Sequence, residues 1–137
     1  MQIRQDEALA FNDVILLPRY SEIESRSKID LTSILKTPNN KEFKFSLPLI
    51  SSPMDTVTGP EMCYRMWQNG GLGILHRFCT IEEQVKMVHS VRTIEVKERA
   101  TAGSVSLCVM GAAIGANGDY LDRCRALIEA GISIICI

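Results

Sequence analysis

The feature that most constrains the fold is a repeated unit in which a short apolar run leads into a polar loop and then into a stretch of helical periodicity. The four apolar runs predicted as strands are Leu47–Ile50, Leu72–Leu75, Leu107–Ile114 and Ile132–Ile137. Continuous apolar runs that alternate with helices are typical of parallel strands buried on both faces. The pattern therefore predicts an α/β fold with a parallel sheet and helices outside it.

Three helices are predicted between these strands. A capping box, Thr58 with Glu61 and Thr80 with Glu83, opens the first two, and the third spans Asp119–Ala130. The apolar residues expected to face the core recur at helical spacing. They are Met62, Cys63, Met66 and Trp67 in the first helix, Ile81, Val85, Val88 and Val91 in the second, and Tyr120, Leu121, Cys124, Leu127 and Ile128 in the third.

Two further segments depart from the repeat. Ile29–Leu31 and Glu42–Phe45 flank the turn residues Pro38–Lys41, which predicts a hairpin-like excursion before the first parallel strand. Residues 93–106 carry charges and show no clear period. We expect a surface excursion there.

Charge and hydropathy argue against several kinds of partner, although they leave a local basic site open. The sequence has 15 Lys and Arg against 16 Asp and Glu and a pI near 6.1, so neither nucleic acid nor an anionic membrane is favoured as a partner. No apolar run approaches the ~20 residues of a membrane span, and the first residues are charged. We expect a cytoplasmic protein.

Motifs for metals and for common cofactors are missing. The five cysteines show no Cys-x-x-Cys spacing, which argues against a zinc site or a disulfide framework. Gly70–Gly73 and Gly111–Gly115 do not fit the G-x-G-x-x-G spacing of a Rossmann dinucleotide site. There is no Walker motif and no convincing pair of acid–base carboxylates, so we assign no catalytic and no metal-binding residue.

Polar residues at strand ends are the candidates for binding. Ser52, Met54 and Asp55 follow the first strand, and ligands of α/β folds gather at the carboxyl ends of strands. From the residues alone, a loop whose serines and Asp55 satisfy local backbone groups is the favoured interpretation.

His76 and Arg77 leave the second strand at the same edge of the predicted sheet. A cation there could bind phosphate or polarise a carbonyl, and Arg77 is the stronger candidate because a single histidine at a strand end is more often structural. A Cys79 thiolate near Arg77 would have a lowered pKa, yet an ordinary loop thiol is favoured. His89 is expected to lie in solvent.

The ungapped run Ser51–Thr58, with its Met-Asp-Thr-Val sequence, closely resembles the first strand-end loop of the IMP dehydrogenase and GMP reductase family. Phe11–Pro18 resembles the opening segment of that family, with Asn12 in place of an expected acidic residue. The resemblance implies a (β/α)₈ TIM barrel. Because a full barrel takes about 250 residues, residues 1–137 would form the amino-terminal half of one catalytic barrel domain. An open flavodoxin-like sheet is the alternative that the pattern alone allows.

The resemblance also implies the activity. IMP dehydrogenase converts IMP and NAD to XMP and NADH through a cysteine-bound intermediate, and the attacking cysteine would lie beyond Ile137. Ser51–Met54, Gly70–Gly73 and Gly111–Gly115 look more like IMP dehydrogenases. In the family, the residues that match Ser52 and Met54 contact the purine nucleotide, and Asp55 matches the same motif.

GMP reductase, which converts GMP and NADPH to IMP and ammonia, is the alternative within the family. Ser25–Ser27 and His76–Phe78 resemble that branch, and residues 93–106 stand where most IMP dehydrogenases carry an inserted regulatory domain pair. A non-catalytic nucleotide-binding or assembly fragment is the alternative from another class, since the nucleophile and the later phosphate loops are missing from the sequence.

Cofactors and partners follow from the resemblance as well. It implies NAD or NADPH, with His76 and Arg77 near the nicotinamide or the reacting base, and a monovalent cation bound outside this segment. Many GMP reductases have a catalytic lysine at the position of Arg77, whereas an arginine stays protonated and cannot donate a proton in the same way. The implied assembly is a homotetramer.

Overall fold

The computed structural model describes residues 9–37, 40–102 and 107–137. Its strands are β1 Ser33–Lys36, β2 Glu42–Phe45, β3 Ile50–Ser51, β4 Leu72–Leu75, β5 Gly111–Ala113 and β6 Ile134–Cys136. Its helices are α1 Pro60–Gln68, α2 Ile81–Ala102 and α3 Tyr120–Glu129, preceded by 3-10 turns at Phe11–Asp13 and Arg26–Lys28.

Four strands form one parallel sheet in the order β3-β4-β5-β6. Ile50 pairs with Leu72, Ile74 pairs with Gly111, and Gly111 pairs with Ile134. The predicted parallel α/β architecture is confirmed. Within the described residues the sheet is open, so its closure into a barrel stays a prediction.

The two faces of the sheet are covered by different elements. Leu72, Ile74 and Ala113 pack with Phe43 and Phe45 of the β1–β2 hairpin on one face. The other face packs against the helices, and its buried residues are Cys63, Tyr64, Leu75, Val88, Val91, Cys108, Met110, Ala112, Ile114 and Leu127. Side chains of β4 alternate between the two clusters, as the pleat of a strand requires.

The hairpin is antiparallel, with Ser33 opposite Phe45 and Lys36 opposite Glu42. The second predicted strand is confirmed, whereas the first begins at Ser33 and so lies after the predicted Ile29–Leu31. Two residues of the predicted turn, 38 and 39, lie outside the described residues.

Helix α1 lies unusually close to β4 because Gly73 has no side chain. A Cβ built on Gly73 would lie 2.4 Å from the Cα and 2.9 Å from the carbonyl oxygen of Cys63. The Cys63 thiol donates a hydrogen bond of 3.5 Å to the Gly73 carbonyl. Gly70, at φ +84°, ends the same helix in the left-handed conformation that favours glycine.

One of the two predicted capping boxes is confirmed. The Thr80 amide donates to Glu83 Oε2 at 2.9 Å, and the Glu83 amide donates to Thr80 Oγ1 at 3.2 Å. The box predicted at Thr58 is wrong, since Gly59 is the N-cap of α1 and Pro60 is its first residue. Thr58 is fully buried, and its hydroxyl is used inside the preceding loop instead.

Helix α2 continues into the predicted surface excursion. It ends at Ala102, so residues 93–102 are helical, and residues 103–106 lie outside the described residues. The charges that suggested a loop form ion pairs within the helix, from Arg92 to Glu95 at 2.9 Å and from Arg99 to Glu95 at 3.6 Å. Glu95 is only 2% exposed, and its Oε1 accepts the Cys108 amide at 2.8 Å.

None of the helices in the described ranges is long and apolar enough to span a membrane.

Several predicted core positions are exposed in the structure. Leu49 and Ile50 were expected in a buried strand, but they are 56% and 64% exposed because β3 pairs only with β4 among the described residues. Met62, Leu121 and Ile128 are exposed as well. The buried faces of α1 and α3 are each rotated by about one residue from the predicted stripe, so they include Tyr64 and Arg123.

We expect Gly73→Ala to destabilise the protein by about 3 kcal/mol or more, because its methyl group would overlap backbone atoms of α1 that cannot rotate away. The midpoint of urea unfolding of the full gene product measures this. Gly115→Ala is the matched control, since a Cβ there would meet no atom closer than 3.5 Å. Equal midpoints for the two variants would contradict the close packing of α1 on β4.

Candidate functional site

The sheet brings the predicted site residues to one edge. β3, β4 and β5 are parallel neighbours, so the loops after Ser51, Leu75 and Ala113 all leave at their carboxyl ends. Ser52, Met54 and Asp55 follow β3, and His76 and Arg77 follow β4. The two predicted groups thus lie on adjacent loops.

The loop after β3 is a compact turn fastened from inside. Thr58 Oγ1 donates to the Ser52 carbonyl at 2.5 Å and contacts the Ser51 hydroxyl at 2.9 Å. The Met54 carbonyl accepts the amides of Val57 and Thr58 at 3.0 and 2.9 Å. A buried threonine therefore sets the shape of this loop.

The side chains of Ser52 and Met54 are exposed on this turn, and Met54 is 49% exposed. Asp55 is also exposed, and its Oδ1 accepts the Thr56 amide at 2.9 Å. That bond is the local turn interaction expected from the residues alone. The turn therefore exposes a hydroxyl, a thioether and a carboxylate at the carboxyl end of β3.

His76 is half-buried at the exit of β4. Its Nδ1 is buried and has no hydrogen-bond partner among the described residues. The imidazole is stacked on Phe78, with ring centroids 6.5 Å apart and an interplanar angle of 20°. An unpaired buried nitrogen is unusual, because buried polar atoms are nearly always hydrogen-bonded.

Arg77 spans two neighbouring loops. Its guanidinium carbon lies 5.5 Å from the centroid of the Phe78 ring, and that ring is 62% exposed. Its Nη1 lies 3.6 Å from the position that a Cβ on Gly115 would occupy, so the cation reaches the loop after β5. Arg77 itself is exposed. A cation beside an exposed aromatic ring suits a ligand with an anionic group and a flat ring.

The thiols near this edge are not activated. Burial raises the pKa of Cys79, and this outweighs the opposing effect of Arg123. Away from this edge, in the core between the sheet and the helices, burial also raises the pKa of Cys63 and of Cys108 to about 12. The interpretation of Cys79 as an ordinary loop thiol therefore agrees with its surroundings, since the thiolate is the nucleophilic form.

A buried polar network that the sequence reasoning missed lies directly beneath the β4 and β5 loops. Gln84 Nε2 donates to the carbonyls of His76 at 3.0 Å and Ala113 at 2.9 Å. Arg123 Nη1 donates to Gln84 Oε1 at 2.9 Å, and its Nη2 donates to the Cys79 carbonyl at 3.0 Å. The two side chains link both loops to helices α2 and α3.

Asp119 completes this network at the start of α3. Its Oδ2 accepts Arg123 Nη2 at 2.7 Å and Nε at 3.1 Å. These hydrogen bonds from Arg123 hold the pKa of Asp119 below its usual value, and the charges of Arg123 and Arg77 act in the same direction. Asp119 is therefore a carboxylate at neutral pH, and it partly neutralises the buried guanidinium.

A sequence signal for Gln84 does exist. Gln84 precedes Val88 by four residues and Val91 by seven, so it shares the buried face of α2 with them. Arg123 stands in the same relation to the buried Leu127 of α3. A polar residue within an apolar stripe predicts a buried hydrogen bond, because an unpaired polar group there would be costly.

Other features of the described region carry less chemistry. No cluster of three or more His, Cys, Asp or Glu side chains that could hold a metal is present among residues 9–37, 40–102 and 107–137. An apolar groove of about 190 Å³ lies between the hairpin and residues 47–50, and no charged side chain lines it. His89 is exposed, as expected.

Comparison with known proteins points to one family. Residues 8–137 match the family described as IMP dehydrogenase / GMP reductase domain. An inosine-5'-monophosphate dehydrogenase of Korarchaeum cryptofilum is 50% identical over 92 residues, which are 67% of this chain and 18% of that protein. One from Rhodopirellula baltica is 34% identical over 132 residues, which are 95% of this chain and 22% of that protein.

A GMP reductase of Leishmania donovani is 38% identical over 86 residues, which are 63% of this chain and 17% of that protein. The chain thus spans about a fifth of the length of the curated relatives it matches. Because the family match covers nearly every residue, this chain belongs to the IMP dehydrogenase / GMP reductase family.

Proposed function

We propose that this chain forms part of the nucleotide site of a purine 5'-monophosphate oxidoreductase resembling IMP dehydrogenase. The observation that carries the proposal is that two groups, Ser52–Asp55 and His76–Arg77, lie on adjacent loops at one edge of a parallel sheet in a chain of this family. In the proposed reaction, IMP, NAD⁺ and water give XMP, NADH and a proton. Relatives named inosine-5'-monophosphate dehydrogenase, at up to 50% identity, support this reaction as the first candidate.

The loop after β3 is proposed to bind the purine nucleotide. The Ser52 hydroxyl can donate to or accept from the edge of the base, and the exposed Met54 thioether can pack on its flat face. Asp55 is exposed, so its carboxylate can accept a hydrogen bond from a ribose hydroxyl. The hydrogen bonds of Thr58 to the carbonyls of Ser52 and Met54 constrain the backbone that carries these side chains.

The loop after β4 is proposed to hold the nicotinamide cofactor. Two features fit such a group: His76 Nδ1 is buried without a partner in the described region, and Arg77 lies against the exposed Phe78 ring. The imidazole can bind a carboxamide, and the guanidinium can bind an anionic oxygen. When bound, the nicotinamide supplies the acceptor for the hydride that leaves carbon 2 of the purine. The role proposed for the Arg77 guanidinium is charge stabilisation and not proton transfer.

The wider setting is proposed from the family. The four-stranded parallel sheet is taken as the first half of a (β/α)₈ barrel, and residues 93–106 as the region where relatives carry an inserted regulatory domain pair. A homotetramer, a cytoplasmic location and NAD as the cofactor in preference to NADPH belong to the same proposal, as does a monovalent cation bound outside this segment. The sequence similarity of Ser51–Met54 and Gly111–Gly115 to IMP dehydrogenases supports this assignment.

GMP reductase is the second candidate, and the specific observation that favours it is the pair of Leishmania relatives with that name at 38% identity. In that case GMP and NADPH would give IMP and ammonia. The exposed cation at Arg77 would then stand where a proton donor is expected, which makes this the weaker assignment.

We expect the full gene product to reduce NAD⁺ in the presence of IMP, since the carboxyl edge carries both proposed binding groups. Following nicotinamide absorbance with IMP plus NAD⁺, and separately with GMP plus NADPH, measures both candidates. Turnover only with the second pair would identify a GMP reductase. If neither pair reacts and no purine nucleotide binds, the oxidoreductase proposal is wrong. Nucleotide binding without turnover would support the non-catalytic binding module.

We expect Arg77→Ala to raise KM for the nicotinamide cofactor by about tenfold, because it removes one charge-assisted hydrogen bond worth about 1.5 kcal/mol. Initial rates at saturating purine nucleotide measure the change. Arg125→Ala is the matched control, since Arg125 is an exposed α3 arginine whose ion pair with Asp122 is 3.2 Å long. An unchanged KM in Arg77→Ala would exclude Arg77 from the cofactor site.

A further inference from the structure

Two arginines of this chain are built into closely similar networks at opposite ends of the sheet. Arg123 binds Gln84, the Cys79 carbonyl and the Asp119 carboxylate beneath the carboxyl edge. Arg92 binds the Glu95 carboxylate at the amino end, together with the carbonyls of Cys108 and Gly131, each at 2.9 Å. Each guanidinium therefore contacts three residues, one of them acidic.

Stability alone does not account for the Arg123 network. Arg123 is 6% exposed and Gln84 is fully buried. Removing a guanidinium and a carboxamide from water is costly, and well-packed apolar residues in such places are often equally stable. What the polar groups contribute is orientation, because the planar guanidinium group has five N–H donors that hold its acceptors in fixed directions.

The acceptors of the network are the backbone of the two loops that form half of the candidate site. The His76 and Cys79 carbonyls lie in the loop after β4, and the Ala113 carbonyl is the last of β5. Arg77 leaves the first of these loops and reaches Gly115 in the second. A change in the spacing of the loops would therefore move Arg77 relative to its surroundings.

The loop after β3 is fastened separately, through Thr58. None of the hydrogen bonds of Gln84, Arg123 and Asp119 described above reaches that loop. The loop after β3 and the loops after β4 and β5 are thus positioned by different groups. A variant of the network should therefore affect the second pair of loops without affecting the first loop.

We propose that Arg123 and Gln84 are positioning residues that set the spacing of the β4 and β5 exit loops and thereby the placement of Arg77 and His76 for the nicotinamide cofactor. The inference rests on the proposed function, because it assigns the β4 loop to the cofactor. Neither residue touches the ligand. Their effect is on where the loop backbone lies.

The test compares Arg123→Lys with Arg92→Lys in the full gene product. A lysine keeps the charge, but its ammonium group cannot bind three acceptors in the directions that the planar guanidinium group allows. Both variants should lose a similar amount of stability in urea unfolding. Only Arg123→Lys should raise KM for the nicotinamide cofactor. We expect an increase of about tenfold, because a displacement of about 1 Å of a binding or catalytic group can reduce activity by up to about 100-fold. Its KM for the purine nucleotide should stay unchanged.

A second readout does not depend on activity. Hydrogen exchange in peptides covering residues 76–80 and 113–117 should be faster in Arg123→Lys than in the wild type and unchanged in Arg92→Lys. If the wild type shows no purine turnover, the proposed function fails, and the exchange rates alone decide whether the network positions the loops. Equal effects of the two variants on cofactor KM, or unchanged exchange in both loops, would overturn the inference.

Asp119→Asn covers the case in which Arg123→Lys does not fold. Asp119 is about half exposed, so its loss leaves the core intact while removing the carboxylate that orients Arg123. Its control is Asp122→Asn, whose side chain is exposed and pairs only with Arg125 in the described region. We expect Asp119→Asn to raise KM for the cofactor and the hydrogen-exchange rate of the two loops, as Arg123→Lys does, but by smaller factors. Identical behaviour of the two asparagine variants would overturn the inference.

Discussion

Parallel pairing of β3, β4, β5 and β6 is the constraint on which the rest of the structure depends. Parallel strands need a crossover between them, and each crossover here contains a helix on the same face of the sheet. The pairing therefore fixes where every loop begins. It also brings residues as distant in sequence as Ser52 and Gly115 to the same edge, which no local interaction could do.

Close packing and buried hydrogen bonds together determine the shape of that edge. The missing side chain of Gly73 lets α1 approach β4 until the Cys63 thiol meets the Gly73 carbonyl. Thr58 closes the loop after β3 from within. Gln84 and Arg123 hold the next two loops from below. The exposed side chains of the proposed site thus stand on a backbone that is largely held before any ligand binds, which is the condition for binding without a large ordering cost.

Sequence patterns predicted the elements that depend on local signals. The second capping box and the alternation of strands and helices are both confirmed, since each is encoded within a few residues. The boundaries of strands were less predictable. β3 has only two residues because pairing with β4, and not the apolar run itself, decides where it begins.

The errors share a physical cause. Residues 93–102 are charged and show no clear apolar period, which predicts a surface excursion, whereas in the structure Glu95 is buried and binds the Cys108 amide, 13 residues away. Arg123 was missed because two of its three acceptors, Gln84 and Cys79, lie about 40 residues earlier. Tertiary partners decide whether a charged side chain is buried, and a single sequence shows them only as polar residues within apolar stripes. The proposed binding roles of Ser52, Met54, Asp55, His76 and Arg77 rest on family resemblance and geometry together.

The most direct measurement is a crystal structure of the full gene product with IMP and a nicotinamide cofactor bound. We expect the purine to lie against Met54 with Ser52 Oγ within hydrogen-bonding distance, and the nicotinamide to lie beside His76 and Arg77. If both ligands bind away from the carboxyl ends of β3 and β4, this edge of the sheet is not the nucleotide site.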